Sequence, residues 1–142
     1  MEYIQHVHKT DLARNTSRII KGVLRGQTVL IENHGKVEAA IMDIMDYRIL
    51  RALTLYYTRP PKIDPKGLGV ASLQNLESPQ EVYDLVLAHY LAGIISLGRA
   101  AELLELHSLE LQTRFVRLDV PLNLGPKDEQ DAKAEVDAAR NF

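Results

Sequence analysis

One segment of this chain carries two opposed faces, and this pattern restricts the possible fold more than any other feature. Between residues 14 and 25 the cations are spaced four, three and four positions apart, which places them on one line of a helix: Arg14, Arg18, Lys21 and Arg25. Aliphatic side chains fall on the other side: Ile19, Ile20, Val23 and Leu24. We therefore predict a helix that packs on a core through one face and offers cations to an anionic partner through the other. An ordinary solvated helix face is the alternative.

A hairpin is predicted directly after this helix. Gly26 suits the left-handed backbone that commonly ends a helix. Two strand-like runs follow and meet at His34-Gly35, where Asn33 and Gly35 tolerate a positive φ. These runs are Thr28–Asn33 and Lys36–Met42.

Further elements are predicted on both sides of the helix and hairpin. The alternating residues 3–8 predict an edge strand. Thr10 or Asp11 can cap a short helical turn, and Thr16 or Ser17 can cap the main helix. Another helix is predicted to begin at Asp43 and to run to about residue 57.

The second half of the chain is predicted to be helical. Residues 58–72 contain three prolines and two glycines and read as a linker. Ser78, Pro79 and Glu81 form a strong helix start, and Gly93 ends that helix. Two more helices are predicted, over residues 97–106 with a Ser96 cap and over residues 108–118. Residues 126–142 are polar and read as a tail that either folds on a partner or has no role.

Composition narrows the possible classes of protein. The chain has 142 residues and no cysteine, which excludes a disulfide framework and thiolate chemistry. It lacks an apolar run of about 20 residues and a signal-peptide pattern, so a cytoplasmic protein without a membrane partner is expected.

The charges are distributed unevenly along the chain. Residues 1–66 carry 11 Lys/Arg and 7 Asp/Glu, whereas residues 67–142 carry 6 Lys/Arg and 12 Asp/Glu. The basic N-terminal half and the acidic C-terminal half suggest two surfaces with different partners. A chance distribution of solvated charges is the alternative.

Residues 9–57 resemble the DNA-binding domain of the Phd/YefM antitoxins. The matching residues are Leu12-Ala13-Arg14-Asn15, the helix Ser17–Leu24, Gly26, Val29-Leu30-Ile31, His34-Gly35-Lys36, Ala39-Ala40-Ile41 and Asp46-Tyr47. The resemblance implies an α+β domain with a short antiparallel sheet, which forms a homodimer and directs its basic helix at operator DNA. It also places Asn33 and Lys36 at the DNA surface, although family members commonly have arginine where this chain has Asn33.

Residues 90–125 resemble a second, small family of helix-turn-helix-like proteins found beside toxin genes. The matching residues are Tyr90-Leu91, Gly93, the run Ile95–Leu103, and Val120-Pro121-Leu122. Members of that family usually have glycine in the turn between the two helices, where this chain has Glu105-Leu106. The second helix carries Arg114 and Arg117 but also Glu110, so DNA reading by it is not expected.

Other candidate sites have simpler explanations. His6 and His8 lie on one side of a strand and can in principle hold a metal, but no further ligands occur at a recognisable spacing, so no metal or cofactor is expected. His89 is expected to pack within its helix and His107 to help cap the next. Asp43 and Asp46 suit a helix start without any acid–base role. No catalytic motif is present, and a binding protein rather than an enzyme is predicted.

The sequence therefore predicts a Phd/YefM-like domain over residues 1–57, a linker over 58–72, a helical region over 73–125 and a tail over 126–142. The leading functional hypothesis is an antitoxin of a type II toxin–antitoxin pair. In this hypothesis Arg14, Arg18, Lys21, Arg25, Asn33 and Lys36 contact operator DNA, and the acidic half neutralises a toxin, a ribonuclease by family analogy. A stand-alone transcriptional regulator and an adaptor module that binds an acidic protein are the alternatives.

Overall fold

The computed structural model, which describes residues 4–122, combines helices with a sheet and confirms the predicted α+β class. The chain divides into two units, Met1–Tyr47 (unit 1) and Arg48–Phe142 (unit 2). The elements are β1 (Ile4–His8), α1 (Lys9–Arg14), α2 (Thr16–Leu24), β2 (Thr28–Asn33), β3 (Lys36–Ile41), α3 (Ile44–Thr58), a 3-10 helix (Val70–Leu73), α4 (Pro79–Leu91), α5 (Leu97–Leu103) and α6 (Ser108–Arg117). The predicted tail lies outside the described residues.

The sheet of unit 1 is mixed rather than antiparallel. Its strand order is β1-β2-β3, and β2 pairs antiparallel with β3 through the predicted hairpin. The strand β1 lies at an edge, as expected, but it runs parallel to β2. The expectation of an antiparallel sheet is therefore wrong for β1. Two helices separate β1 from β2, and such a crossover returns the chain to the end of the sheet where β1 began.

One face of this sheet and one side of α2 enclose the core of unit 1. The buried members of this core are Val7, Ile19, Val23, Val29 and Ile31, with Leu12 and Ile41 packed against them. The aliphatic face of α2 is narrower than predicted, because Ile20 and Leu24 are 37% and 64% exposed. Only the strip that contains Ile19 and Val23 reaches the core.

The predicted helix of the basic segment is interrupted at Asn15. This residue has φ −126° and ψ 36°, which separates α1 from α2, and it occupies the N-cap position of α2 without a side-chain hydrogen bond. The predicted caps Thr16 and Ser17 are therefore wrong. The Thr16 hydroxyl instead donates to the Leu12 carbonyl oxygen at 2.5 Å, within the preceding turn.

Positive φ angles occur at the two predicted turns of unit 1. Gly26 has φ 105° and follows α2, as expected. In the hairpin, His34 (φ 52°) and Gly35 (φ 76°) take this conformation, whereas Asn33 is the last residue of β2. Two successive positive φ angles form the turn that matches the twist of a two-residue hairpin.

The core of unit 2 lies among α4, α5, α6 and the part of α3 that begins at residue 48. Its largest fully buried side chains are Tyr90, Phe115, Ile49, Leu87, Leu111 and His89. The three predicted caps are confirmed: the Ser78 hydroxyl accepts from Glu81 N at 3.3 Å, the Ser96 hydroxyl from Arg99 N at 3.1 Å, and His107 Nδ1 from Leu109 N at 3.1 Å.

A buried histidine joins α4 to the proline-rich segment that precedes it. His89 is 1% exposed, and its Nδ1–H donates to the Leu85 carbonyl oxygen at 2.8 Å. Its Nε2 accepts a hydrogen bond from Asp64 N at 3.0 Å. The expectation that His89 packs within its helix is confirmed, and the same ring also fixes one point of residues 58–72.

The turn between α5 and α6 keeps a glycine-type geometry without a glycine. Glu105 has φ 58°, Glu105 N donates to the Glu102 carbonyl oxygen at 3.1 Å, and Leu106 N donates to the Ala101 carbonyl oxygen at 2.9 Å. These two bonds define the Schellman motif, in which glycine is the usual left-handed residue.

Among residues 4–122, no helix is long and apolar enough to cross a membrane.

Substitution of Glu105 by glycine is expected to stabilise the protein. Glycine removes the steric cost of a β-carbon at positive φ, so the free energy of unfolding should rise by about 1 kcal/mol. Urea denaturation measures the change. Glu105→Ala is the control, since it removes the carboxylate but keeps the β-carbon, and an equal gain in both variants would contradict the explanation.

Candidate nucleic-acid interface

Three of the four aligned cations lie together on the outer side of one helix. Arg18 and Lys21 belong to α2, and Arg25 is its C-cap. All three are exposed, and none of them forms an ion pair within residues 4–122. We call these three residues the α2 ridge. Because Ile19 and Val23 are held in the core, the rotation of α2 is fixed and the ridge lies on the side of the helix away from these two residues.

Arg14 belongs to a separate helix. It is the last residue of α1, and the change of chain direction at Asn15 breaks the regular helical spacing between Arg14 and Arg18. Arg14 is exposed. The prediction of four cations on one helix is therefore wrong, and the continuous line contains three.

A cleft of about 550 Å³ brings the α2 ridge together with residues from β1 and from the turn after α2. It is lined by Gln5, His6, Val7, Asp11, Arg18, Ile19, Lys21, Gly22, Arg25 and Gln27. The lining contains three cations and one carboxylate, so the cleft carries a net positive charge. An anionic group such as a phosphate is the complementary ligand for this arrangement.

Gln27 and Asp11 are members of the cleft that the sequence reasoning missed. The Gln27 side chain lies over α2 at Gly22, where a β-carbon would meet its Oε1 at 2.6 Å. Gln27 N also donates to the Gly22 carbonyl oxygen at 3.1 Å, which closes the turn after α2. A glycine within an otherwise helical pattern was the only local sign of this close approach.

The two predicted hairpin contacts lie apart from the cleft lining. Lys36 is exposed at the start of β3, next to the tight turn. Asn33 pairs with Lys36 across the turn, and its Nδ2 donates to Glu38 Oε1 at 3.3 Å. Of the six predicted DNA contacts, the structure thus brings Arg18, Lys21 and Arg25 together in one cleft and places Arg14, Asn33 and Lys36 elsewhere on unit 1.

One of the two histidines of β1, His6, has a local partner. His6 Nδ1 lies 2.6 Å from Glu32 Oε1 on the neighbouring strand, and both side chains are partly accessible. Within the described part of the chain, no group of three or more His, Cys, Asp or Glu side chains is arranged to hold a metal ion.

The acidic pair at the start of α3 has a structural explanation. Asp43 Oδ1 accepts from Met45 N at 2.8 Å and from Asp46 N at 3.3 Å. Asp43 therefore lies at the predicted start of α3 and caps it, and both carboxylates are buried rather than presented in an open site.

In unit 2, α6 corresponds to the recognition helix of a helix-turn-helix arrangement. Little of the positive charge of α6 is available to a ligand. Arg114 Nη2 lies 3.2 Å from Glu110 Oε1, and the Arg114 side chain is only 13% exposed. Arg117 is half-buried. The α2 ridge of unit 1 is consequently the stronger candidate for a nucleic-acid contact.

Together these features define a small α+β protein with a cationic cleft on its N-terminal unit. Comparison with known proteins finds a relative in Archaeoglobus fulgidus described as a UPF0175 protein, 38% identical over 82 residues, which are 57% of this chain and 85% of the relative. This chain belongs to the UPF0175 family. No family model matches the chain. No solved structure matches it either.

The matched length shows that the relationship includes unit 2. An alignment of 82 residues is longer than unit 1, so part of it must cover the helical unit. The description of the relative names no activity or partner.

Replacement of the cap of α3 offers a test of the structural role of Asp43. Asp43→Ala should lower the free energy of unfolding by about 1 kcal/mol, because two backbone N–H groups lose their acceptor. Asp43→Asn keeps an oxygen at that position and should retain most of the stability. Thermal or urea unfolding distinguishes the two, and an equally large loss in Asp43→Asn would show that the charge, rather than the cap, is what α3 requires.

Proposed function

We propose that this protein is an antitoxin of a type II toxin–antitoxin system that represses its own operon and neutralises a cognate toxin. The observation that carries the proposal is the α2 ridge, in which three exposed cations on one helix converge on a single cleft. The resemblance of residues 9–57 to Phd/YefM domains supports the same assignment. Both proposed roles are binding roles, and neither requires a catalytic group.

The first proposed role is the binding of operator DNA. Duplex DNA presents a regular array of phosphates, and each Lys or Arg that neutralises one releases condensed counterions. Arg18, Lys21 and Arg25 supply this contact in the proposal, with Arg14 and Lys36 as exposed neighbours on the same unit. A homodimer would repeat the ridge about a two-fold axis and would favour a palindromic site.

The second proposed role is the binding of a toxin by the acidic half of the chain. Residues 67–142 carry 12 Asp/Glu against 6 Lys/Arg. A ribonuclease presents cations to its RNA substrate, and an acidic surface complements such a groove. The identification of the toxin as a ribonuclease rests on analogy with the Phd/YefM resemblance.

A stand-alone transcriptional regulator is the second candidate. The extensive buried core of unit 2 favours it, because an independently packed unit is also what a sensor or dimerisation module requires. The two candidates share the DNA contact and differ only in whether a toxin exists.

Charge reversal on the α2 ridge is the direct test of DNA binding. The double substitution Arg18→Glu and Lys21→Glu should abolish binding to a duplex from the protein's own upstream region. The single substitutions to alanine should each reduce the slope of log affinity against log salt by about 1. Fluorescence anisotropy at several salt concentrations measures both effects.

The matched control reverses two exposed cations of unit 2, Arg59→Glu and Lys62→Glu, which change the net charge by the same amount. This control should leave DNA affinity largely intact. If the control and the ridge variant lose the same affinity, overall charge rather than the α2 ridge is responsible, and the assignment of the interface is wrong.

Co-expression with the adjacent gene separates the two candidates. If the protein is an antitoxin, the neighbouring gene product alone should arrest growth, and this chain should relieve the arrest and co-purify with that product. The ridge variant Arg18→Glu with Lys21→Glu should still protect, since toxin binding is assigned to unit 2. Absence of toxicity from the neighbouring product would favour the regulator.

A further inference from the structure

A groove with apolar walls lies between α4 and α5 in unit 2. It is bounded by the 3-10 helix Val70–Leu73, the turn that follows it, the start of α4 and the end of α5, and its volume is about 510 Å³. Six of its lining side chains are aliphatic: Val70, Leu73, Leu76, Val82, Leu103 and Leu104. Leu103 and Leu104 are buried, whereas Val70 is 57% exposed. We call this feature the α4–α5 groove, and its size and lining suit the apolar side chains of a ligand.

The charged side chains that line the α4–α5 groove are all carboxylates: Glu77, Glu102 and Glu105. The charge of Glu102 is partly neutralised, because Arg99 Nη1 lies 2.9 Å from its Oε1. Glu77 and Glu105 are exposed, and neither forms an ion pair within residues 4–122. None of the described residues that line the groove is a lysine or arginine, and the sequence has neither between residues 67 and 98. The apolar walls therefore have a negative rim.

Glu105 occupies its place on this rim at a cost to the fold. Its φ of 58° is left-handed, a conformation in which a β-carbon is unfavourable. Within the described residues its carboxylate has no hydrogen bond or ion pair that would offset this cost. Strained backbone positions are concentrated where proteins bind ligands. The turn after α5 therefore supports a binding role for this end of the groove.

The walls and the rim together select among the possible occupants of the groove. Nucleic acid and lipid headgroups would bring phosphates against Glu77 and Glu105 without a lysine or arginine in the described lining to receive them. Residues 123–142 of the chain carry 5 Asp/Glu and 3 Lys/Arg, so their net charge has the same sign as the rim. A protein segment with aliphatic side chains beside lysine or arginine complements both the walls and the rim.

We propose that the α4–α5 groove is the docking site for a partner protein's segment in which aliphatic side chains alternate with lysine or arginine. The aliphatic side chains enter the groove, and the cations lie against Glu77 and Glu105. The inference deepens the toxin-binding half of the proposed function and rests on it for the identity of the partner. The chemistry of the docked segment is independent of that identity and is tested separately.

A pair of defined probes tests this chemistry. The full chain, labelled with ¹⁵N, is titrated with a synthetic amphipathic peptide of leucine and lysine, and separately with the same peptide carrying glutamate in place of lysine. The cationic peptide should shift the amide signals of Val70, Leu76 and Glu105. The acidic peptide should leave these signals in place, because the rim repels it.

Two matched pairs of variants locate the contact. Val70→Gln should weaken binding of the cationic peptide roughly fivefold, since an apolar contact is lost. Its control is Val116→Gln, because Val116 is 58% exposed in the same unit but does not line the groove. Glu105→Gln removes a rim charge while keeping the β-carbon, and it should weaken the same peptide about threefold. Its control is Glu38→Gln, which removes an exposed carboxylate of unit 1. Both controls should leave the affinity unchanged.

Four results would overturn the inference. These are equal binding of the two peptides, equal effects within either pair of variants, groove shifts on addition of duplex DNA, and concentration-dependent groove shifts without any probe. The last of these would identify a second copy as the occupant.

Failure of the proposed function is distinguishable from failure of the inference. If the adjacent gene product binds Val70→Gln and the unchanged protein equally well, toxin binding stands and the α4–α5 groove is the wrong surface. If that product does not bind the protein at all, the antitoxin assignment fails, and the peptide titrations still decide what the groove accepts.

Discussion

The packing of one aliphatic strip of α2 on one face of the sheet is the contact on which unit 1 depends. Ile19 and Val23 lie against Val29 and Ile31, and all four are at most 5% exposed. Burial of two such side chains contributes roughly 3–6 kcal/mol, which is comparable to the whole stability of a small domain. Since successive residues of a helix are rotated by about 100°, holding this strip inward turns the α2 ridge outward. Core packing and the cationic surface are therefore two consequences of one helix orientation.

Residues 93–122 of unit 2 use their charges in the opposite way. Two of the arginines are paired with carboxylates of their own helices, and the exposed charges of residues 93–122 are all acidic. A helix-turn-helix-like arrangement by itself does not specify DNA binding, because affinity for a duplex depends on available cations.

Local signals in the sequence predicted most elements and several of their ends. The residues Ser78, Ser96 and His107 each accept a backbone N–H at a helix start, as the cap pattern indicated, and Asp43 does the same for α3. These predictions succeeded because a cap depends on a few adjacent residues. The helix over residues 14–25 was predicted too long, because regular spacing of cations reports periodicity but not the backbone angles at Asn15.

The sequence alone determined the α+β class, the hairpin, the starts of α3, α4, α5 and α6 and the separation of charge between the two halves, since each is encoded in neighbouring residues or in composition. Tertiary structure decided the parallel pairing of β1 with β2, the exposure of Ile20 and Leu24, and the cleft in which Gln27 and Asp11 join the α2 ridge. Those features depend on which surfaces meet when the chain folds back on itself. Contacts between distant residues leave no periodic signal in the segments that make them.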